Sequence, residues 1–286
     1  MQCYSVLRRA CRLCTVGQVV HTLPEGEPVL GVTSLAGEVY VLRWKERAEV
    51  EVYDAISYRL QRCLTVPNCR GLVDMTSCEH CNCVYIGDHI AECIHRLGAQ
   101  GAATQWPVND KPSGLSVNAA HNLMVTCPGV RKIKEFSSHG KLLRELTLPG
   151  DVITPWHAIQ LTSGQFIACH GDVGDIVQRV CKMSDAGRHT IQSHGGQPGS
   201  ATGQHRLPRH LAVDDNKFVF VADLLNRRVT LLSPTLGYVR QVVTSHDLKW
   251  LPHRLCLDTQ RQRLYVADIE YKDGHFGAGR VVVFSV

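Results

Sequence analysis

Between Leu207 and Val243 four short apolar runs alternate with polar turns. They run from Leu211 to Asp214, Val219 to Asp223, Arg228 to Ser233 and Tyr238 to Val243, each closed by Asp, Asn, Pro or Gly, the pattern of short strands joined by tight turns. The first two are apolar throughout, which predicts burial on both faces, whereas the fourth mixes polar and apolar positions and is expected to meet water. A single four-stranded sheet cannot cover both of its own faces, so the pattern requires neighbours of the same kind.

The chain repeats the pattern. Leu255 opens a second copy (LCLDTQRQRLYVAD, then RVVVFSV), and both copies end an aromatic-containing strand in Ala-Asp, at Ala222-Asp223 and Ala267-Asp268. Looser copies open at Leu30, Leu72, Leu115 and Ala158, so successive openings are 42, 43, 43, 53 and 44 residues apart. A near-constant step of this size with four strands per step predicts an all-β, six-bladed β-propeller of four-stranded antiparallel blades. The blades are expected at about 27–67, 68–109, 110–151, 152–205, 206–249 and 250–286, in one domain. The last copy holds only three strands, and a strand-like stretch at Thr15 to Leu23 (within 12–23) belongs to no upstream blade. The N-terminal strand should therefore complete the last blade and close the ring, removing an exposed sheet edge. The long step is assigned to a Gly-, Ser- and Pro-rich loop, Ser193 to Pro208.

The segment GGQPGSATGQHRLPRHLAVDDNKFVFVADLLNRRVTLLSP resembles the NHL repeat, with Pro208, Asp214, Asp223, Asn226 and Arg228 in the repeat's places. The last copy keeps Pro252, Asp258, Asp268 and Arg280. The chain is similar to the C-terminal propeller of tripartite-motif (TRIM) NHL proteins, a six-bladed TolB-like architecture. That resemblance implies a non-catalytic platform for protein partners, including substrate recognition in ubiquitin ligation, with RNA binding as the alternative. Only Cys3, Cys11 and Cys14 precede the first blade, too few for the zinc sites of a RING.

Composition narrows the choices little: 44% hydrophobic and 20% charged residues are ordinary for a globular chain, and a formal charge of +5 permits an acidic partner without demanding one. No apolar run approaches the length of a membrane span. Arg8, Arg9 and Arg12 stand where a secretory signal would need its apolar core, and many of the thirteen cysteines fall inside strands, so a cytoplasmic protein with reduced thiols is expected.

Asp223 and Asp268, with Asn226 and Arg228, are read as a turn network in which the carboxylates accept backbone N–H groups. His157 and His210 each stand one residue before an inner strand and should point to the same mouth of the central channel. The equivalent places elsewhere are taken as Val29, Gly71, Gly114 and Arg254. Two histidines in six do not make the three-ligand site of a metal-dependent lyase or hydrolase. Cys78, His80, Cys81 and Cys83 form the densest thiol cluster, but one Cys-x-x-Cys pair without a second argues against a metal; the similar pair Cys11 and Cys14 is equally thin. No cofactor motif or nucleophile constellation appears. Basic residues near blade edges, among them Arg131, Lys132, Lys134, Arg206, Arg227, Arg261 and Arg263, supply the RNA alternative. Trp156, His157, Arg209, His210 and Arg254 are the candidate binding face.

Overall fold

The computed structural model describes residues 17–44 and 48–286. The expected pair Cys11 and Cys14, Cys3 and the arginines at 8, 9 and 12 lie outside the described residues. Six four-stranded antiparallel sheets are present, each built from consecutive strands except the last. The inner strands are Val29–Leu35, Leu72–Cys78, Gly114–Val117, Pro155–Gln160, Pro208–Val213 and Leu251–Asp258. Each touches the inner strands on either side, and the sixth touches the first, so the sheets form a closed ring. The outer strands of the first five blades are Leu60–Thr65, Ala103–Pro107, Leu142–Thr147, Thr190–Gly196 and Tyr238–Val243. In the sixth blade that place is taken by Gln18–Thr22, paired with the C-terminal strand His275–Ser285. Leu23, wholly buried, seats the closure.

Burial follows from the sequence pattern. The second strands of blades two to five, such as Val219–Asp223, are buried at every position, while the outer strands are mostly exposed or half-buried. Apolar side chains interlock between adjacent blades: Val221 and Leu211 of blade five pack with Ile167 and Cys169 of blade four. Most of the described cysteines are buried in this way.

Two expectations shift. Ser193, His194, Gly195 and Gly196 are not loop but the end of blade four's outer strand, paired with Cys181, Val180, Arg179 and Gln178. Gly195 has a φ of +98°, and a Cβ there would lie 2.7 Å from the Gln178 carbonyl oxygen, so glycine serves close approach rather than ending the strand. The second shift concerns the inner strands. In five of the six the register slips one residue near the start, between Pro208 and His210 for example. Aligned by partner on the second strand, the equivalent residues are Gly31, Asp74, Gly114, His157, His210 and Arg254, opposite Leu42, Gly87, Thr126, Cys169, Ala222 and Ala267. Val29 and Gly71 are not among them. The apolar pattern that placed blades one and two cannot register the extra residue of a bulge.

Because each inner strand runs away from the bulge, one face of the ring carries the inter-blade connections and the second-to-third strand loops, and the other carries the remaining hairpin turns. The first face is the bulge face. It includes two single 3-10 turns, Pro128–Val130 and Leu224–Asn226, and a hairpin extension at Ile269–Gly279 that lengthens the sixth blade's second and third strands.

Candidate functional site at the channel mouth

The bulge aims the equivalent residues of four blades into the channel, where they meet. Arg254 Nε lies 2.9 Å from Asp74 Oδ1, a charge contact that is not aligned as a hydrogen bond, and Arg254 also donates to the Val73 carbonyl. Asp74 Oδ2 accepts the Leu115 N–H at 2.8 Å and faces His210 Nε2 at 3.5 Å. His210 stacks on His157 with ring centroids 3.8 Å apart. The other two equivalent places are glycines: a Cβ on Gly114 would lie 2.4 Å from the Trp156 carbonyl oxygen and 2.8 Å from His157 Cα, and one on Gly31 would strike Met75. Their lack of a side chain lets the neighbouring blades close up.

Asp74, His157, His210, His253 and Arg254 are all buried. Burial would raise the Asp74 carboxyl, but Arg254 and His210 outweigh it and hold the group well below the usual carboxylate range. Burial pushes His157 down to about 3 and lowers His210 and His253 as well. The tautomers follow from the partners: His157 Nε2 donates to the Leu115 carbonyl at 2.9 Å, and His210 Nδ1 accepts the Leu255 N–H at 3.3 Å, leaving its Nε2–H for Asp74. His157 Nδ1 and His253 Nδ1 have no partner. Asp74, His157 and His210 offer three ligand atoms within 4.8 Å of one another, a geometry that could hold a metal. Arg254 already neutralises the one carboxylate, which weighs against a cation there.

Above this plug lie the two candidates that reach solvent. The Arg209 guanidinium carbon sits 3.4 Å from the Trp156 ring centroid, and Trp156 Nε1 donates to the Gly171 carbonyl at 2.9 Å. Arg209 is partly exposed, yet desolvation, seconded by Arg254, lowers its pKa, as befits a group on the floor of a depression. The structure thus brings all five candidates of the binding face together but splits them by depth: Trp156 and Arg209 at the floor, His157, His210 and Arg254 sealed beneath. Arg254 is not the surface residue the sequence reading made it. His253, set aside as facing away, contacts Arg254 from beside the channel and packs on Phe276 at 5.0 Å.

Asp74 was missed altogether. Its partners lie some 40 to 180 residues away, and only an alignment that allowed for the bulge would have placed it beside His157 and His210.

The turn network is present. Asp223 accepts the Arg206 N–H at 2.7 Å, Asn226 Nδ2 at 2.8 Å and Arg228 Nε at 2.7 Å, with His205 at 3.4 Å. Asp268 accepts the Lys249 and Trp250 N–H groups at 2.8 Å and Arg280 at 2.9 Å. The carboxylates therefore cap the incoming inter-blade connection, not only the turn that follows. Asp88 does the same in blade two, accepting N–H groups from Arg70, Gly71, Ile90 and Ala91. That saturation gives it a structural reason to lie near Cys93 and His95 without a metal. In blade one Arg43 reverses the polarity and donates to the Pro24, Glu27 and Gly279 carbonyls.

The three thiols of the cluster lie together, but His80 is turned away from them. Cys78 and Cys83 are paired across a hairpin and buried, Cys81 is partly exposed, and His80 stacks on His121. Burial raises Cys78 to about 11 and raises Cys83, keeping both protonated at neutral pH.

The rim of the mouth is apolar. Trp44, Ile90, Val130, Val173, Ile176, Tyr271 and Phe276 are exposed, the first five in second-to-third strand loops and the last two in the hairpin extension that takes that place in the sixth blade. Among the described residues Ile56 is the one comparable side chain on a loop of the opposite face, while Val19, Val20, Leu60, Leu142, Leu143, Ile191, Tyr238 and Val239 are exposed along the outer strands. A cleft of about 670 Å³ opens on the outer rim of the same face, lined in part by Cys69, Arg70, Cys93 and Trp106.

No family profile matches the chain, and no curated protein matches it significantly. Solved structures share its fold. The Kuenenia stuttgartiensis hydrazine synthase structure is 14% identical over 91% of this chain and 97% of that one, with a TM-score of 0.63. A virginiamycin B lyase of Staphylococcus aureus, solved with quinupristin as a catalytically inactive histidine-to-alanine variant, is 12% identical over 94% and 98%, with a TM-score of 0.62. The propeller domain of Myceliophteria thermophila Cps50 (Swd1) is 9% identical over 94% and 99%, with a TM-score of 0.61. At these identities the likeness is one of fold, and that fold is shared by enzymes and by other propeller domains.

Proposed function

We propose that the ring is a binding platform for a protein partner and that the bulge face is its working surface. The observation that carries this is that the exposed apolar side chains outside the outer strands gather, Ile56 apart, on the inter-strand connections of one face, around the Arg209–Trp156 pair. Contiguous apolar surface rimmed by polar groups marks interaction sites, and aromatic and arginine anchors at the centre of such a surface carry most of its binding energy. In the finer form that the NHL resemblance suggests, the bound protein is a substrate presented for ubiquitination, the ligase machinery lying in sequence other than the propeller.

RNA is less favoured, because many of the basic residues that suggested it are already engaged. Lys132 pairs with Glu145, Lys134 with Asp110, Arg261 with Asp258 and Arg254 with Asp74, while Arg227 donates to the Leu248, Lys249 and Trp250 carbonyls.

The test is a pair of face-specific variants. Partners that co-purify with the chain should be lost with Val173→Glu/Ile176→Glu and retained with Ile56→Glu on the opposite face. Equal retention by both would refute the assignment.

A metal-dependent lyase or hydrolase is the second reading, favoured by the Asp74, His157 and His210 geometry. It predicts about one divalent metal per purified chain, lost in His157→Ala. Metal analysis showing none would remove it.

A further inference from the structure

The platform reading leaves open what the partner presents to the floor. Arg209 donates a hydrogen bond to no acceptor among the described residues, whereas Arg179 donates to Asp151, Arg227 to carbonyls, Arg228 to Asp223 and Arg254 to Val73. It is nevertheless held in place. Its guanidinium carbon lies over the Trp156 ring, and Trp156 is fixed by its bond to Gly171. Stacking restrains the plane and leaves the in-plane N–H fork free, the arrangement suited to bidentate recognition of a planar anion.

The charge around it defines the anion. Asp74 and Arg254 cancel, and the three buried histidines are held neutral. Arg209 is therefore the charge on the floor that has no ion-pair partner among the described residues. Asp172, on the loop beside it, is near enough to act on that charge. One such positive charge with an aspartate nearby matches a monoanion better than a phosphate dianion. The side walls are apolar: the loop that holds Trp156 also carries Val173 and Ile176, exposed by 72% and 73%. Across the mouth, Phe276 packs on His253 and Tyr271 on Phe276, at 5.0 and 5.5 Å.

Resting on the platform reading, we propose that the mouth takes a peptide segment whose Glu or Asp carboxylate is held by the Arg209–Trp156 stack while its apolar neighbours lie on the loops bearing Val173, Ile176, Tyr271 and Phe276. Asp172 acts on Arg209 only at a distance, so burying the guanidinium beneath a docked partner would be costly without a carboxylate paired to it directly; the acidic residue acts as a requirement and the apolar flanks as the source of affinity.

The experiment is selection of a random peptide display library on the purified chain, followed by titration of synthetic versions of the enriched peptides. The proposal expects enriched sequences with Glu or Asp between apolar residues. Changing that residue to Gln or Asn in the peptide should weaken binding about 10- to 100-fold. Arg209→Gln should weaken the parent peptide equally and leave the amide peptide unaffected. Arg209→Lys should restore little, since an ammonium lacks the fork. A melting temperature within a few degrees of wild type shows that Arg209→Gln is folded; if it is not, the peptide substitutions alone decide. Enriched peptides lacking an acid, yet lost with Val173→Glu/Ile176→Glu, would overturn the carboxylate assignment and leave the platform standing. Peptides insensitive to both sets of variants, or none at all, would overturn both. Arg209-dependent binding of a single-stranded oligouridylate would overturn the peptide proposal in favour of a nucleotide phosphate.

Discussion

Asp74 and Arg254 illustrate how a buried charge pair constrains the channel. They face each other across the ring, both buried, and neither has another countercharge within ion-pair distance apart from neutral His210. Asp74→Asn would leave the guanidinium buried and uncompensated, and breaking such a pair from one side costs about 3–5 kcal/mol. The same change also weakens the acceptor for the Leu115 N–H. Denaturant unfolding should show that loss for Asp74→Asn, whereas Asp74→Leu/Arg254→Leu should lose less than the sum of its single substitutions, because each group is costly mainly in the absence of the other. Additive losses would mean that the two are not coupled. It follows that Arg254 cannot serve as a probe of partner binding, since Arg254→Glu would set two carboxylates together in the core.

At the scale of the strand, what was legible in the sequence depended on how local the cause is. Asp223, Asn226 and Arg228 lie within six residues, and the geometry of a strand end and one 3-10 turn brings them together. Their spacing could therefore be read directly, and so could the step between blades. The same end-of-strand rule would have found Asp88, which closes its own second strand. Asp74 could not be read this way, because a bulge shifts side chains without changing the apolar pattern and because its partners belong to distant blades. Depth was hidden as well: Arg209 and Arg254 both lie near the start of an inner strand, but only the bulge register decides which of them is sealed. The glycines of that register are as telling as the charged residues. Gly114→Ala would press a methyl against backbone of the next blade, where neither atom can yield, and overpacking of this kind costs about 1–3 kcal/mol. Gly150→Ala, with nothing within 4 Å, should change stability by no more than about 0.5 kcal/mol. A comparison of the two melting temperatures checks that the ring is tight at the channel rather than uniformly loose.

For the molecule as a whole, the histidines act as ties between blades, which makes ring stability depend on pH. His157 of blade four donates to Leu115 of blade three, and His210 of blade five meets Asp74 of blade two and accepts from Leu255 of blade six. These rings are neutral when folded, His157 with a pKa near 3 and His210 and His253 also lowered. In the unfolded chain each would titrate near the ordinary value of about 6.5. Between the folded and unfolded values the unfolded chain binds more protons, so stability is complete above about pH 6.5 and falls as the pH drops below it. Each histidine that stays neutral contributes up to about 1.4 kcal/mol per pH unit, and three together roughly 4 kcal/mol. Asp74, also lowered, adds a further loss only below about pH 4, as its unfolded counterpart takes up a proton. Denaturant midpoints measured from pH 7.5 to pH 5 should therefore decline steeply, and His157→Gln, which keeps a donor for Leu115 but cannot titrate, should flatten the decline by about one histidine's share even if it lowers stability overall. A midpoint that does not move over that range would mean that the channel histidines are solvated, and the closed plug on which Arg209 and Trp156 rest would have to be abandoned.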